Sequence, residues 1–427
     1  MCPVHVLISA GEASGEMYGA QLMEAMRRRA ADTASVVTGL RPVPAGQNPA
    51  TTQALQFEFF GAGGERMRAA GCEIIVDAKE LAVVGITEIL SRLPKILELY
   101  RNLIRSADEK RPGLAVVIDS PAFNWRVARQ MRKRGIPVVY YVCPQFWAWR
   151  QGGVKLLRKY VDKALVIFPF EEKFYRDRGV DATFVGHPLA DLPAPAISRE
   201  AYAAESRIDV AKQWITLMPG SRRKEVRMNL PTILEAADRL ENDRLKNDPL
   251  GEDRPRSGYE FLLPVARTLD ASFLRELIGV PHTGTRQAAS LPNIHLVPEA
   301  LPALFHSRAA VVASGTATVE AAIMGVPFVM VYRVSRLTYA LGKPRVRVPY
   351  FAMVNLIAGQ EIVPELVQHK FTGQNIVTEL NKIIPDGEPR TLMIERLAAV
   401  KARLKQGSDS GAHPSDTAAE IILQMVR

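Results

Sequence analysis

The sequence predicts an α/β protein built as two Rossmann-like βαβ domains facing each other across a cleft, with a helical C-terminus. Three observations carry that expectation. Short apolar runs recur along the chain with helix-like segments between them. The runs are continuous and not alternating, the pattern of strands buried on both faces of a parallel sheet. The scheme occurs once in each half, and 427 residues at 47% hydrophobic content can supply two cores.

In chain order, VHVLIS from Val4 is the first strand, and a helical pattern follows from about Gly15 to Arg29. LAVVID (114–119) precedes the helical NWRVARQMRKRG, IPVVYYV (136–142) follows at once, and KALVIF (163–168) closes the half. The Pro- and charge-rich stretch around Asp191–Arg207 reads as the linker. In the second half WITLMPGS (214–221), YEFLLPVA (259–266), IHLV (294–297), AAVVASGT (309–316) and PFVMVY (327–332) read as strands. Two polar segments, 41–53 and 242–258, read as surface loops. After Gly373 the pattern turns helical, with EPRTLMIERLAAVKARLKQG the clearest helix. The division expected is a first domain over residues 1–195, a second over 205–385 and C-terminal helices over 386–427.

Bulk properties narrow the class. A formal charge of +10 favours polyanionic partners: nucleic acid, an anionic membrane surface or phosphorylated substrates. Cys2, Cys72 and Cys143 lie far apart with no CxxC pair, which fits a reducing compartment and argues against a disulfide frame or a zinc knuckle. The start lacks the basic region and long apolar run of a signal peptide, and no apolar stretch reaches about 18 residues. A cytosolic protein, free to rest on a membrane, is expected.

Ligands of such sheets sit beyond the carboxyl ends of the strands, so four loops matter. In GEASGE no Lys follows the glycines, and Gly11, Gly15 and Gly19 are spaced by four, so the P-loop and dinucleotide fingerprints both fail. A turn remains, with exposed amides, Ser14, Gly15, Glu12 and Glu16; it is either a ligand loop or a helix N-terminus with stabilising acids. In VVIDSPAFNW, Asp119 is a general base or the N-cap of the next helix. In LMPGSRRKEV, Gly220 and Ser221 free amides beside Arg222, Arg223 and Lys224, which suits a diphosphate or only a solvated basic helix start. In VASGTATVEAAIMGVP, Ser314, Gly315 and Thr316 open a helix with free amides, and Glu320 follows one turn on, where it can accept from a ribose.

SAGEASGE, ELAVVGITEIL, VIDSPAFN, YYVCPQFWAWR, FPFEEKFY, VGHPLAD, PGSRRKEV, ASGTATVEAAIMGVP, VYRVS and VNLIAG together resemble the lipid-A-disaccharide synthase family, in order and spacing from residue 4 to about residue 367. The resemblance implies an inverting, metal-independent hexosyltransferase of GT-B arrangement that needs no cofactor. It implies transfer from UDP-2,3-diacylglucosamine to 2,3-diacylglucosamine 1-phosphate, giving the β-1,6 disaccharide of lipid A and UDP, at the cytoplasmic face of the bacterial inner membrane. By the same resemblance Asp119 is the base for the acceptor 6-hydroxyl, alone or with Glu16, and Arg222 lies near the diphosphate. Ser314–Thr316 and Glu320 belong to the UDP site, with Tyr332 and Asn355 as further members. One departure stands out: the family often has Asp-x-Pro-Asp-Phe-Asn, and here the second Asp is Ala122.

The residues agree with chemistry free of a metal, since there is no Asp-x-Asp and no HxxxH pair among the seven histidines. Acylated substrates ask for an apolar landing surface. In residues 81–104, Ile86, Ile89, Leu90, Leu93, Ile96, Leu97 and Tyr100 recur at helical spacing, flanked by Arg92, Lys95, Arg101 and Arg105. The stripe, with Ile89, Leu93 and Leu97 at its centre, faces a membrane or packs on the sheet. A basic and aromatic segment, 332–351, is a second candidate for anionic lipid or the acceptor phosphate. Trp147 and Trp149 divide between core and cleft, and His187 is a cleft-edge donor or a turn residue. The partners expected are therefore the UDP-sugar donor, the acylated acceptor and an anionic membrane, without nucleic acid; a homodimer is compatible. The rivals are another UDP-sugar enzyme, such as a UDP-N-acetylglucosamine 2-epimerase, and a peripheral membrane or nucleic-acid binder without turnover.

Overall fold

A computed structural model describes residues 3–11, 13–39, 56–81, 86–149, 151–247, 258–266, 268–279, 293–335, 338–340, 343, 346, 348–405 and 413–426. The chain forms two compact units, one of Met1–Pro188 with Leu404–Arg427 and the other of Leu189–Arg403.

In the first unit seven strands, β1 (Val4–Ala10), β2 (Phe57–Gly63), β3 (Cys72–Asp77), β4 (Leu114–Ile118), β5 (Val138–Tyr141), β6 (Lys163–Val166) and β7 (Ala182–Phe184), form a sheet in the order β3-β2-β1-β4-β5-β6-β7. Every pairing is parallel. In the second unit β8 (Gln213–Met218), β9 (Tyr259–Pro264), β10 (Ile294–Val297), β11 (Ala309–Ala313), β12 (Phe328–Tyr332) and β13 (Glu365–Val367) are ordered β10-β9-β8-β11-β12-β13, again all parallel. All residues of LAVVI in β4 and of AAVVA in β11 are buried, because helices cover both faces of each sheet. The strand order reverses between β1 and β4 and again between β8 and β11. At such a reversal the flanking loops part and leave a crevice beyond the strand ends.

Several expectations need correction. β2, β3, β7 and β13 were not anticipated. The stretch expected as a linker contains the helix Arg199–Ser206, capped by Ser198, whose side chain accepts from Ala201 N at 3.2 Å. Its Tyr202 and Ala203 are buried with Trp214, Leu262 and Val297, so the segment is part of the second unit's core. The loop expected from residue 242 begins as helix, since Arg223–Asn247 is continuous. Its remainder, 248–257, lies outside the described residues, as does all of 41–53.

Of the C-terminal helices Gly373–Ile383, Glu388–Lys405 and Pro414–Val426, the last packs on the helix Ala13–Gly39 of the first unit. Ala418, Ala419, Ile422 and Leu423 are buried there, and Asp416 pairs with Arg28 at 2.9 Å. The helix Ile86–Lys110 buries Leu103 and Ala107 in the first unit's core, with Leu99, Tyr100 and Ile104 packed against it. Among the described residues no helix is long and apolar enough to cross a membrane.

Candidate functional site

In the first unit the turns after β1 and β4 meet at the switch point. A Cβ on Gly11 would fall 2.3 Å from Ser120 Oγ, so only glycine lets the two turns touch. Gly15 is buried close to Ala10 and Ile118, and Ser14 is half-buried beside it. Buried Ser9 donates to Asn124 Oδ1 at 2.7 Å. Asn124, on the helix Pro121–Lys133, donates to the carbonyls of Asp119 (2.8 Å), Ile118 (2.9 Å) and Ser9 (3.2 Å).

Asp119 has φ 48° and Ser120 φ 43°, two successive left-handed non-glycine residues. Each costs about 1–3 kcal/mol and persists only where the surroundings hold it. Here Tyr140 Oη donates to the Asp119 carbonyl at 2.8 Å, and Phe123 and Asn124 donate their amides to the Ser120 carbonyl. The N-cap of the following helix is Ser120, and no side chain caps it. Asp119, half-buried at the end of β4, is therefore not the N-cap residue of that helix.

Glu16 is engaged elsewhere. Its Oε1 accepts from Arg66 N at 2.6 Å, and its carboxylate lies against Gly64, capping the short helix Glu65–Ala69 from outside. Of the two expectations, Asp119 acting alone or with Glu16, this structural contact at Glu16 favours the first.

In the second unit the loop after β8 turns at Gly220, whose φ is 127°. Arg222 is 59% exposed and donates to Glu225 at 3.1 Å, an i,i+3 pair of little energetic weight that a ligand can displace. Arg223 is drawn to Asp270 and lies over the Phe273 ring at 4.9 Å. Ser221 is exposed, with its carbonyl taken by Thr268 Oγ1.

Across the switch point Ser314 donates its amide to Val331 O at 2.9 Å and its hydroxyl to Phe351 O at 3.0 Å. Its amide is therefore in the sheet, a correction to the expectation of a free one. Gly315, at φ 138°, is the N-cap of the helix Thr316–Met324, which no side chain caps. Burial pushes the Glu320 carboxyl up. Tyr332 stacks on Phe351 with centroids 5.6 Å apart, and its phenol is pushed up by burial and then by Glu225. Glu225 thus links Arg222 to the end of β12.

Asn355 is fully buried, and its amide is satisfied within the protein. Oδ1 accepts from Ile362 N (2.8 Å) and Val363 N (3.0 Å), and Nδ2 donates to Val363 O (2.9 Å) and Glu365 Oε1 (2.8 Å). Glu365 also accepts the amides of Phe351 and Ala352, both at 2.9 Å. Asn355 therefore shapes the loop beneath Ser314 and Tyr332, and direct ligand contact is not open to its amide.

Sequence reasoning missed Asn124, Glu225, Glu365 and Glu171. Glu171 is buried and accepts from Trp147 Nε1 (2.8 Å), Phe168 N (3.1 Å) and Ile167 N (3.2 Å), and burial pushes its carboxyl up to about 7 against those donors. Trp147 is thereby a core residue, while Trp149 is 50% exposed. His187 is buried, its ring 5.3 Å from that of Phe168, and burial lowers its pKa to about 3, so it is a neutral core residue.

The apolar stripe divides. Tyr100 packs edge-on to Phe123 at 6.2 Å and donates to Arg126 O at 3.3 Å, so it faces the core, whereas Leu97 is 38% exposed. The side chains of Ile89 and Leu93 lie outside the described residues. Much of 332–351 also lies outside them, and its Arg333 turns inward, donating to Thr232 at 2.8 Å over the Phe371 ring. Among the described residues no three of His, Cys, Asp and Glu gather where they would hold a metal ion.

Comparison with known proteins bears on the family and the fold. The family model described as lipid-A-disaccharide synthetase matches residues 6–412. The chain is 45% identical over 423 residues to a lipid-A-disaccharide synthase of Koribacter versatilis, covering 99% of this chain and 98% of that one. It is 37% identical over 427 residues to the Myxococcus xanthus lipid-A-disaccharide synthase, covering 99% and 98%. In fold it is similar to the glycotransferase of kitacinnamycin, with a TM-score of 0.60 at 14% identity over 100% of both chains. It is also similar to the UDP-GlcNAc 2-epimerase of Neisseria meningitidis, with a TM-score of 0.54 at 12% identity over 100% and 99%. Identities that low speak to fold alone, while the family match covers nearly the whole chain. The chain belongs to the lipid-A-disaccharide synthase family, and it is a glycosyltransferase.

Proposed function

We propose that the chain joins UDP-2,3-diacylglucosamine to 2,3-diacylglucosamine 1-phosphate, forming lipid A disaccharide 1-phosphate and UDP. The observation that carries the assignment of roles is the loading of both switch points. One holds a carboxyl on a left-handed backbone at a strand end, and the other an exposed guanidinium after β8 and a helix opening on Gly315 after β11. The first unit, with Gly11–Gly15 and Asp119, takes the acceptor. The second, with Ser221, Arg222, Gly315, Thr316, Glu320 and Tyr332, takes the UDP-sugar.

Asp119 accepts the proton of the acceptor 6-hydroxyl as O6 bonds to the anomeric carbon of the donor, from the side opposite the leaving group. The bond from that carbon to the diphosphate oxygen breaks, and the electron pair leaves with UDP. Arg222 and the N-terminus of the helix Thr316–Met324 stabilise the charge gathering on the diphosphate. Inversion follows from a single displacement, giving the β-1,6 link. Glu16 and Asn355 act through structure, and Asp119 is the sole base. The apolar stripe expected from the sequence at Ile89, Leu93 and Leu97, of which Leu97 is exposed, rests on the anionic inner face of the membrane where both acylated substrates reside. The +10 charge favours that surface.

The test is incubation of purified protein with both substrates and a chelator. Disaccharide and UDP appearing in equal amounts is the expected result. UDP released without acceptor points to the 2-epimerase reading that shares the fold, and overturns this one.

A further inference from the structure

The string SPAFN ends on Asn124, a residue to which the proposed chemistry gives no task. Asn124 is fully buried on the helix Pro121–Lys133, yet its side chain reaches back to the ends of two strands. Ser9 Oγ fixes its Oδ1 at 2.7 Å, and that contact directs Nδ2 towards the carbonyls of Asp119 (2.8 Å), Ile118 (2.9 Å) and Ser9 (3.2 Å). An amide held at both its oxygen and its nitrogen has one orientation. The Asp119 carbonyl is held a second time, by Tyr140 Oη at 2.8 Å, from a fully buried ring. Without these donors a carbonyl brought inside by a φ of 48° would lose its partners, and the backbone would relax towards the extended region. That relaxation would swing the Cα that bears the carboxyl. The conformation of Asp119 is therefore set by side chains that need not touch either substrate.

We propose that Asn124, oriented by Ser9, is the positioning residue of the transfer reaction, holding Asp119 in the left-handed conformation in which its carboxyl acts as base. The inference rests on Asp119 being the base. It differs from a purely structural role for Asn124, which would change stability and leave turnover per folded molecule intact.

The test is a double-mutant cycle on the full chain, with kcat, both KM values and a thermal midpoint measured for each variant. Asn124→Ala is expected to lower kcat by about 10- to 100-fold, the scale of a 1 Å misplacement, with both KM values within about twofold. In the Asp119→Asn background the same substitution is expected to cause no further loss, because it acts only through that carboxyl. Ser9→Ala frees the amide without removing it, so its loss is expected to be about 3- to 10-fold with the same non-additivity. Wild-type kcat in Asn124→Ala, or losses that multiply in the Asp119→Asn background, would overturn the proposal and leave the base intact. Near-normal kcat in Asp119→Asn alone would overturn the base instead. If Asn124→Ala does not fold, the cycle of Ser9→Ala with Asp119→Asn decides, full activity or multiplying losses counting against the proposal.

Discussion

Asp119→Asn keeps the shape of the side chain and removes its affinity for a proton. A general base contributes about 100- to 10,000-fold, so kcat is expected to fall by at least about 100-fold while UDP affinity by calorimetry stays near normal. Weakened UDP binding with near-normal turnover would move this residue to the nucleotide. Arg222→Ala tests the other group. Its loose pairing with Glu225 leaves the guanidinium available, so kcat/KM for the donor should drop by about 100-fold and the acceptor KM should hold. An unchanged donor term would place the diphosphate elsewhere. Glu171 yields a pH prediction. Its carboxyl rises from 4.5 to about 7 in the folded state, so between those values the native protein binds a proton that the unfolded chain has released. Stability from this group therefore falls as pH rises from about 4.5 to 7 and is flat above. Burial keeps neighbouring Cys143 and Tyr175 neutral throughout that range. Buried His187, lowered from 6.5 to about 3, contributes with the opposite sign up to pH 6.5. In Glu171→Gln the slope of the melting midpoint against pH across this window should therefore be more positive than in the wild type, whatever the variant's absolute stability. Equal slopes would mean the carboxyl is ionised in the fold.

Elements were legible where burial was complete. The strands β4, β5 and β11 are unbroken apolar runs under helices, and β1, β6 and β8 are nearly so, the pattern of a parallel sheet covered on both faces. β7 and β13 are three-residue edges, too short to show periodicity, and β2 carries two glycines that read as turn. The helix Arg199–Ser206 hid in a polar stretch because only Tyr202 and Ala203 of its face are buried. Candidate residues at strand ends follow from the rule for open sheets. Their second layer does not, since a buried Asn at one turn's distance looks like any helix residue until the carbonyls it binds are seen. The helix Ile86–Lys110 shows the same limit: spacing cannot separate Tyr100, which packs inward, from Leu97, which is exposed. Replacing Ile89, Leu93 and Leu97 together by Ser is expected to release the protein from anionic vesicles in flotation, with far-UV dichroism and melting unchanged. Loss of the folded state would assign the stripe to the core.

At the scale of the molecule, the chain leaves the first unit after Pro188 and comes back at Leu404, so one fold is completed by residues from both ends of the sequence. The helix Pro414–Val426 supplies the return, burying Ile422 and Leu423 against the helix Ala13–Gly39, the one that follows β1. Removing a buried Ile or Leu side chain costs about 2–5 kcal/mol, and a truncation after Lys405 removes both with two buried alanines and the Asp416 ion pair. That sum is comparable to the whole stability of an ordinary domain, about 5–15 kcal/mol. The second unit ends its core before this point, with Leu397 and Val400 buried on the preceding helix. Truncation should therefore abolish turnover and make residues 1–188 the first target of limited proteolysis, while UDP still binds the remaining unit by calorimetry. UDP affinity lost together with turnover would show that the nucleotide site depends on the first unit, and the division of donor and acceptor between the two would have to be withdrawn.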